Sequence, residues 1–93
     1  MKYRTLYTAV QKGDAEDVKK HLLRGEKVNE INATYNWTPL HRAVSGGHAE
    51  IVRLLLDHGA DPSLRDKWDK TPLDHALEEG HEEIAELLRS HGA

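Results

Sequence analysis

Ninety-three residues, 38% hydrophobic and 31% charged, with no Cys and no Phe, amount to one small domain whose core is built from Leu, Ile, Val and Ala. The missing Cys excludes disulfide staples and thiolate metal sites, and the stretch Met1–Asp14 carries Lys2, Arg4 and Lys12 without the continuous apolar run of a signal peptide. Charge is lopsided: seven Lys/Arg face five Asp/Glu over residues 1–34 and six face eleven over 35–93, a net −3 overall, with no basic cluster for nucleic acid to bind.

In chain order, the first segment places Leu6, Ala9, Gly13, Glu16, Val18, Leu22 and Gly25 at helical spacing around a glycine break. An irregular connector, Asn29 to Trp37, follows. Thr38 is then a good N-cap, Pro39 sits at the first helical position where its missing N–H costs nothing, and Leu40, Ala43 and Val44 form an apolar stripe. Gly46-Gly47 ends that short helix. A second, from about Ala49 to Asp57, carries Ile51, Val52, Leu54, Leu55 and Leu56 over more than one face, which requires burial on both sides. Gly59 supplies a left-handed C-cap, and Asp61-Pro62 with Asp66 to Asp69 carries turn chemistry, so this connector is expected to form a hairpin-like loop.

The rest of the chain repeats what has gone before. At a spacing of 33, Thr38-Pro39-Leu40-His41-Arg42-Ala43 returns as Thr71-Pro72-Leu73-Asp74-His75-Ala76, Gly47-His48 as Gly80-His81, Leu54-Leu55 as Leu87-Leu88, and His58-Gly59-Ala60 as His91-Gly92-Ala93. The first segment aligns with the middle one at 34, the extra residue lying in the connector. Three helix-turn-helix units, approximately 1–34, 35–67 and 68–93, therefore make up a single domain over residues 1–93. Helices this short do not persist alone in water, so the units must stack to share a core.

With these residues the chain resembles the ankyrin-repeat family, most closely at Thr38-Pro39-Leu40-His41, Gly47-His48-Ala49-Glu50-Ile51-Val52 and Leu54–Asp61. The resemblance implies an all-α solenoid with hairpin-like connectors, and a protein-interaction module rather than an enzyme. The first unit departs from the pattern, with Arg4-Thr5-Leu6-Tyr7 at the capping turn and Asp17, Lys20 and His21 where the middle unit has Ile51, Leu54 and Leu55; it reads as an N-terminal cap with a wetted outer face. The last, with Asp74 for His41 and Ala85 for Val52, reads as a C-terminal cap, making a self-sufficient array. Asp74, three residues past the N-cap Thr71, is placed to reach back to backbone N–H groups.

Seven histidines raise the question of metal, but His41, His48 and His81 fall at positions where the family commonly has His, and His58 and His91 are repeat-equivalent. The resemblance implies that His41 hydrogen-bonds near the capping turns of adjacent units and that His48 and His81 stabilise the inter-helix turns. His21 and His75 are expected to be isolated and partly exposed. No metal, cofactor or catalytic residue is expected, since no nucleophile stands in recognisable context and Glu78-Glu79 with Glu82-Glu83 reads as a solvated acidic rim.

Ankyrin proteins usually engage partners through connector tips and the exposed side of the first helices. On those positions this chain has Tyr35, Trp37, Trp68 and Lys70, then Arg42, Ser45, His75, Glu78 and Glu79. Tyr35, Trp37 and Trp68 are the expected anchors, because aromatics dominate interface hot spots, although the resemblance equally allows Trp37 and Trp68, just before the capping turns, to pack along the connector stem without touching a partner; the two glutamates favour a partner of some basic character. The expectation is thus a stand-alone protein-binding module, intracellular and cytoplasmic, with no nucleic-acid or membrane partner. A monomer is expected, Trp37 and Trp68 leaving a homodimer open. The alternatives are an engineered scaffold without a natural partner and a regulatory or targeting domain of a larger enzyme assembly.

Overall fold

The computed structural model describes all 93 residues, and its regular structure is six helices in three consecutive pairs. Helices α1 (Leu6–Gln11) and α2 (Ala15–Leu23) form the first pair, α3 (Pro39–Ser45) and α4 (Ala49–Asp57) the second, α5 (Pro72–Glu78) and α6 (Glu82–Ser90) the third. Helix α3 packs between α1 and α5, and α4 between α2 and α6, so the pairs stack in register into an all-α solenoid of 32 × 25 × 20 Å. There is no strand, only an isolated bridge between Asn32 and Trp37. No helix is long and apolar enough to cross a membrane.

Local chemistry sets where each helix begins. Thr38 and Thr71 accept from the N–H groups of His41 and Asp74, each at 3.2 Å, and their own N–H groups donate back to His41 Nδ1 at 3.3 Å and Asp74 Oδ2 at 3.0 Å. The reach-back expected of Asp74 is thus observed. The first unit has no Pro, and there Thr5, aligned with Pro39, is itself the N-cap, accepting from Thr8 N–H at 3.1 Å. Helix α1 accordingly starts one residue late in the repeat frame and is the shortest of the six.

The turn histidines His48 and His81, at the N-caps of α4 and α6, make no side-chain capping hydrogen bond; their rings reach toward the preceding unit. The His48 ring lies so near Gly13 of the preceding unit that a β-carbon there would fall 2.8 Å from Cε1, and His81 stands in the same relation to Gly47, at 3.3 Å. Both glycines also have positive φ, +70° and +71°, which by itself disfavours any other residue, and at Gly13 a β-carbon would in addition have to displace the His48 ring. His58 and His91 each donate from Nδ1 to a carbonyl of the last helical turn, Leu54 at 2.9 Å and Leu87 at 3.0 Å.

A single buried cluster runs from Leu6 to Leu88, so Leu55 and Leu88 line one interior. Leu40, Val44, Val52, Leu55 and Leu88 are wholly shielded, and burying side chains of this kind stabilises the fold by about 1.5–3 kcal/mol each. In the last pair Leu77, the repeat equivalent of buried Val44, is 53% exposed on the outer side of α5.

The N-terminal end corrects an expectation. Of Asp17, Lys20 and His21, only Lys20 is solvated; Asp17 is 3% exposed and His21 not at all. The reason is that residues 1–5 fold back over α2: Lys2 and Tyr3 donate N–H to the two Asp17 oxygens at 2.6 and 3.0 Å, and His21 Nε2 donates to the Tyr3 carbonyl at 2.8 Å. Polar side chains in the repeat's apolar positions are satisfied internally instead of by water.

Candidate functional site

The two connectors end in equivalent turns. Asn36 and Asp69, 33 residues apart, both adopt positive φ, 55° and 61°, a conformation that Asn and Asp tolerate better than other side chains. Closure comes from Asn32 N–H to the Trp37 carbonyl at 2.7 Å in one connector and Asp66 N–H to the Lys70 carbonyl at 2.9 Å in the other, the hairpin-like form expected. Lys67 N–H then donates to the Tyr35 carbonyl at 2.9 Å, tying the two tips together. The same spacing of 33 makes Tyr35 equivalent to Trp68 and Trp37 equivalent to Lys70.

That equivalence separates the aromatics. Tyr35 and Trp68 stand at the tips, 42% and 55% exposed, with ring centroids 5.4 Å apart. Trp37 lies at the stem and is 9% exposed, so its expected role as a partner anchor is corrected. Its ring stacks near His41 with centroids 6.4 Å apart, meets the edge of His75 at 5.5 Å, carries the Arg42 guanidinium 5.8 Å above it, and donates Nε1–H to Asp66 at 3.0 Å. A side chain used on every side in this way holds the connectors to the helices.

Asp66 is the residue that sequence reasoning missed. Buried to 6% exposure, its Oδ2 accepts from Trp37 Nε1 and from His75 Nε2 at 2.6 Å, while Oδ1 accepts from the N–H groups of Trp68 at 2.9 Å and Lys70 at 3.0 Å. Burial alone would raise its pKa, but the donors from His75, Lys70, Trp37 and Trp68 outweigh it and hold the carboxyl at about 2. His75, expected to be partly exposed and to face a partner, is 9% exposed because it is committed to this carboxylate. The turn chemistry around Asp66 was visible in sequence; its bond to a tryptophan 29 residues away was not.

His41 completes the stem. Its Nε2–H donates to the Lys70 carbonyl at 3.0 Å, leaving Nδ1 to accept from Thr38. This is the link between adjacent capping turns that the resemblance implied. Burial pushes its pKa below the ordinary value, against the opposing pull of the Lys70 carbonyl and Asp66.

The remaining expected contact residues form a rim along the first helices. Arg42 and Ser45 are half-buried on α3, and Lys70 pairs with Glu78 at 2.6 Å, a contact that raises the Lys70 pKa. Glu79 stands 3.3 Å from His81 and 3.7 Å from His75. Across the first unit, a groove of about 550 Å³ opens between the start of α1, residues 25–27 and the first connector, lined by Tyr7, Ile31 and Pro39 among others.

These features describe a stacked helical scaffold that displays loop-borne aromatics, and sequence comparison gives its family. The ankyrin-repeat profile matches residues 6–93 in three copies, and the chain belongs to the ankyrin-repeat family. Ankyrin repeats are a non-catalytic fold that serves in general as a protein–protein interaction module. Among its relatives, the 2-5A-dependent ribonuclease of Mus musculus is 51% identical over 63 residues, 68% of this chain and 9% of that protein. The palmitoyltransferase ZDHHC13 of Mus musculus is 41% identical over 61 residues, 66% of this chain and 10% of that protein. The ankyrin repeat-containing protein P1E11.10 of Schizosaccharomyces pombe is 35% identical over 62 residues, 67% of this chain and 30% of that protein. The matched segment thus spans about a tenth of the first two relatives' length.

Proposed function

We propose that this chain binds a protein partner through the exposed connector tips, with Tyr35 and Trp68 as adjoining anchors and Arg42, Ser45, Lys70, Glu78 and Glu79 as the polar rim. One observation carries the reading: two large aromatics occupy the same repeat position on neighbouring loops, both exposed, above a stem network that fixes their backbone. Rigid aromatics presented in this way give large contact area at small entropic cost. Trp37 and His75 serve the surface from beneath. With Glu78 joined to Lys70 and Glu86 to Arg89, the acidity that favours a basic partner comes chiefly from Glu79 and from the exposed Glu82 and Glu83.

The test is partner capture with the wild-type chain beside Trp68→Ala, followed by affinity measurement on whatever is captured. A hot-spot tryptophan costs at least about 2 kcal/mol, roughly thirtyfold in Kd, while the melting temperature stays put. Unchanged affinity overturns the assignment.

A second reading is favoured by the relatives, two of which carry the similar segment as a small part of longer proteins named for enzyme activities. On it, the same face regulates or targets an enzyme in the same assembly. A catalytic domain on the same or adjacent reading frame, pulled down by wild type and lost with Trp68→Ala, distinguishes it.

A further inference from the structure

The first five residues form no helix, yet they and the start of α1 are bound at several points to α2 and to Glu26 just beyond it. Asp17 accepts the N–H groups of Lys2 and Tyr3, Glu26 accepts the Leu6 N–H at 3.3 Å, and the Tyr3 ring packs against the edge of the core. His21, wholly buried, stands at the junction of these contacts. Its Nε2 faces the Tyr3 carbonyl at 2.8 Å and Asp17 Oδ2 at 3.1 Å, and its Nδ1 faces Glu26 Oε2.

Every atom that meets either ring nitrogen is an acceptor. A neutral imidazole carries one N–H and one lone pair, so it would set a lone pair against a carboxylate or a carbonyl on one side. Only the imidazolium satisfies both. His41 is the counterexample inside the same molecule: one of its nitrogens meets a carbonyl and the other meets the Thr38 N–H, which suits the neutral ring. The partners around two buried histidines in adjacent units therefore favour opposite charge states.

We infer that His21 is a protonation-operated latch, clamping residues 1–5 onto α2 as an imidazolium and freeing that segment, with the Tyr3 edge of the core, when it loses its proton. Losing the proton leaves buried Asp17 and partly exposed Glu26 facing one buried ring without a countercharge, and the cost falls chiefly on Asp17, which water does not reach. The charged groups nearby do not compensate. Lys2 lies 3.6 Å from Asp14 at the N-cap of α2, while Arg4, Lys20, Arg24 and, on the packed helix α4, Glu50 and Arg53 are exposed.

The sign follows from the surroundings. Burial pulls the His21 pKa down, but the bonds to Glu26 and the Tyr3 carbonyl and the charges of Glu26 and Asp17 raise it above the ordinary 6.5. The clamp is thus fully engaged below 6.5 and is lost as pH rises through the raised value. Asp17 moves the other way: burial opposes its charge, yet the Lys2 and Tyr3 N–H groups and His21 lower its pKa, so it remains an anion throughout that window.

The experiment is an NMR titration of the full chain, reading the His21 ring nitrogens together with amide protection factors at Lys2, Tyr3 and Leu6. Protection at these three is expected to fall about tenfold or more as His21 deprotonates, with the amides of α3 to α6 unchanged. Glu26→Gln is expected to lower the release midpoint by about one pH unit, and His21→Gln to leave the three amides weakly protected at every pH. A His21 ring that is already neutral at pH 6, or protection that stays flat through its titration, overturns the inference; the wild-type titration decides the matter even where a variant does not fold.

Discussion

Replacing Asp66 by Ala tests whether one carboxylate organises the connector stems. The substitution leaves the Trp37 Nε1–H and the His75 ring without their partner inside the protein, and two backbone N–H groups, of Trp68 and Lys70, without theirs. The backbone donors lie beside exposed loop residues, where water replaces the lost acceptor. Trp37 and His75 do not have that recourse, both being 9% exposed. A buried donor left unpaired costs about 1–3 kcal/mol, so the two together cost about 3 kcal/mol. In a domain of this size that lowers Tm by about 12–24 °C. Thermal denaturation followed by circular dichroism gives the answer, and tryptophan emission moving to the red reports the opening of the stem. A loss below about 1 kcal/mol, with emission unchanged, refutes the reasoning, because it means that the bonds drawn to Asp66 carry little of the structure.

Other substitutions separate stem from tip. Trp37→Phe keeps an aromatic ring but removes the donor to Asp66 and part of the buried indole, and is expected to cost about 2–3 kcal/mol by urea denaturation, whereas Trp68→Phe is expected within about 0.5 kcal/mol of wild type. Iodide is expected to quench Trp68 and to spare Trp37, read from each single-tryptophan variant. Gly13→Ala meets both a positive φ and the His48 ring, and is expected to cost about 2 kcal/mol, partly recovered in a Gly13→Ala, His48→Ala double variant. With pH, the buried neutral His41, its pKa below 6.5, contributes stability present above 6.5 that is lost on acidification through its lowered value. The loss is expected to vanish in His41→Gln. Asp66, held at about 2 against an ordinary 3.8, contributes stability present above 3.8 that is lost as pH falls toward 2. Denaturant midpoints across pH 2–8 measure both steps.

What could be read from the sequence was whatever the repeat itself carries. Thr38 and Thr71, Pro39 and Pro72, and the paired leucines announce their roles by local spacing, so the helices, the caps and the stacking were legible. The residues misjudged were those whose partners lie in a neighbouring unit or in the terminal segment. His75 looked free because its carboxylate stands nine residues back on a loop, and His21 looked solvated because the Tyr3 carbonyl that covers it is eighteen residues away. Neither distance is a helical or turn spacing, and a single chain offers no other signal for it. For Trp37 the clue was present: 33 residues on stands Lys70, half-buried at a stem, whereas Tyr35 maps onto Trp68 at a tip.

That division of labour explains how so small a stack can expose large aromatics without loosening. Asp66 divides its two oxygens, Oδ2 binding the stem through Trp37 and His75 and Oδ1 binding the tip through the Trp68 and Lys70 N–H groups. The backbone beneath Trp68 is therefore anchored through the carboxylate to α5 and, through Trp37, to the start of α3. A loop held in this way loses little further freedom when its aromatics meet a partner, which leaves more of the contact energy for affinity. It follows that weakening the stem and truncating the tip are coupled: Asp66→Asn should reduce partner affinity even though Asp66 is buried, and the reduction should shrink once Trp68 is already Ala. Additive losses in that double-variant cycle would mean that the stem serves stability alone.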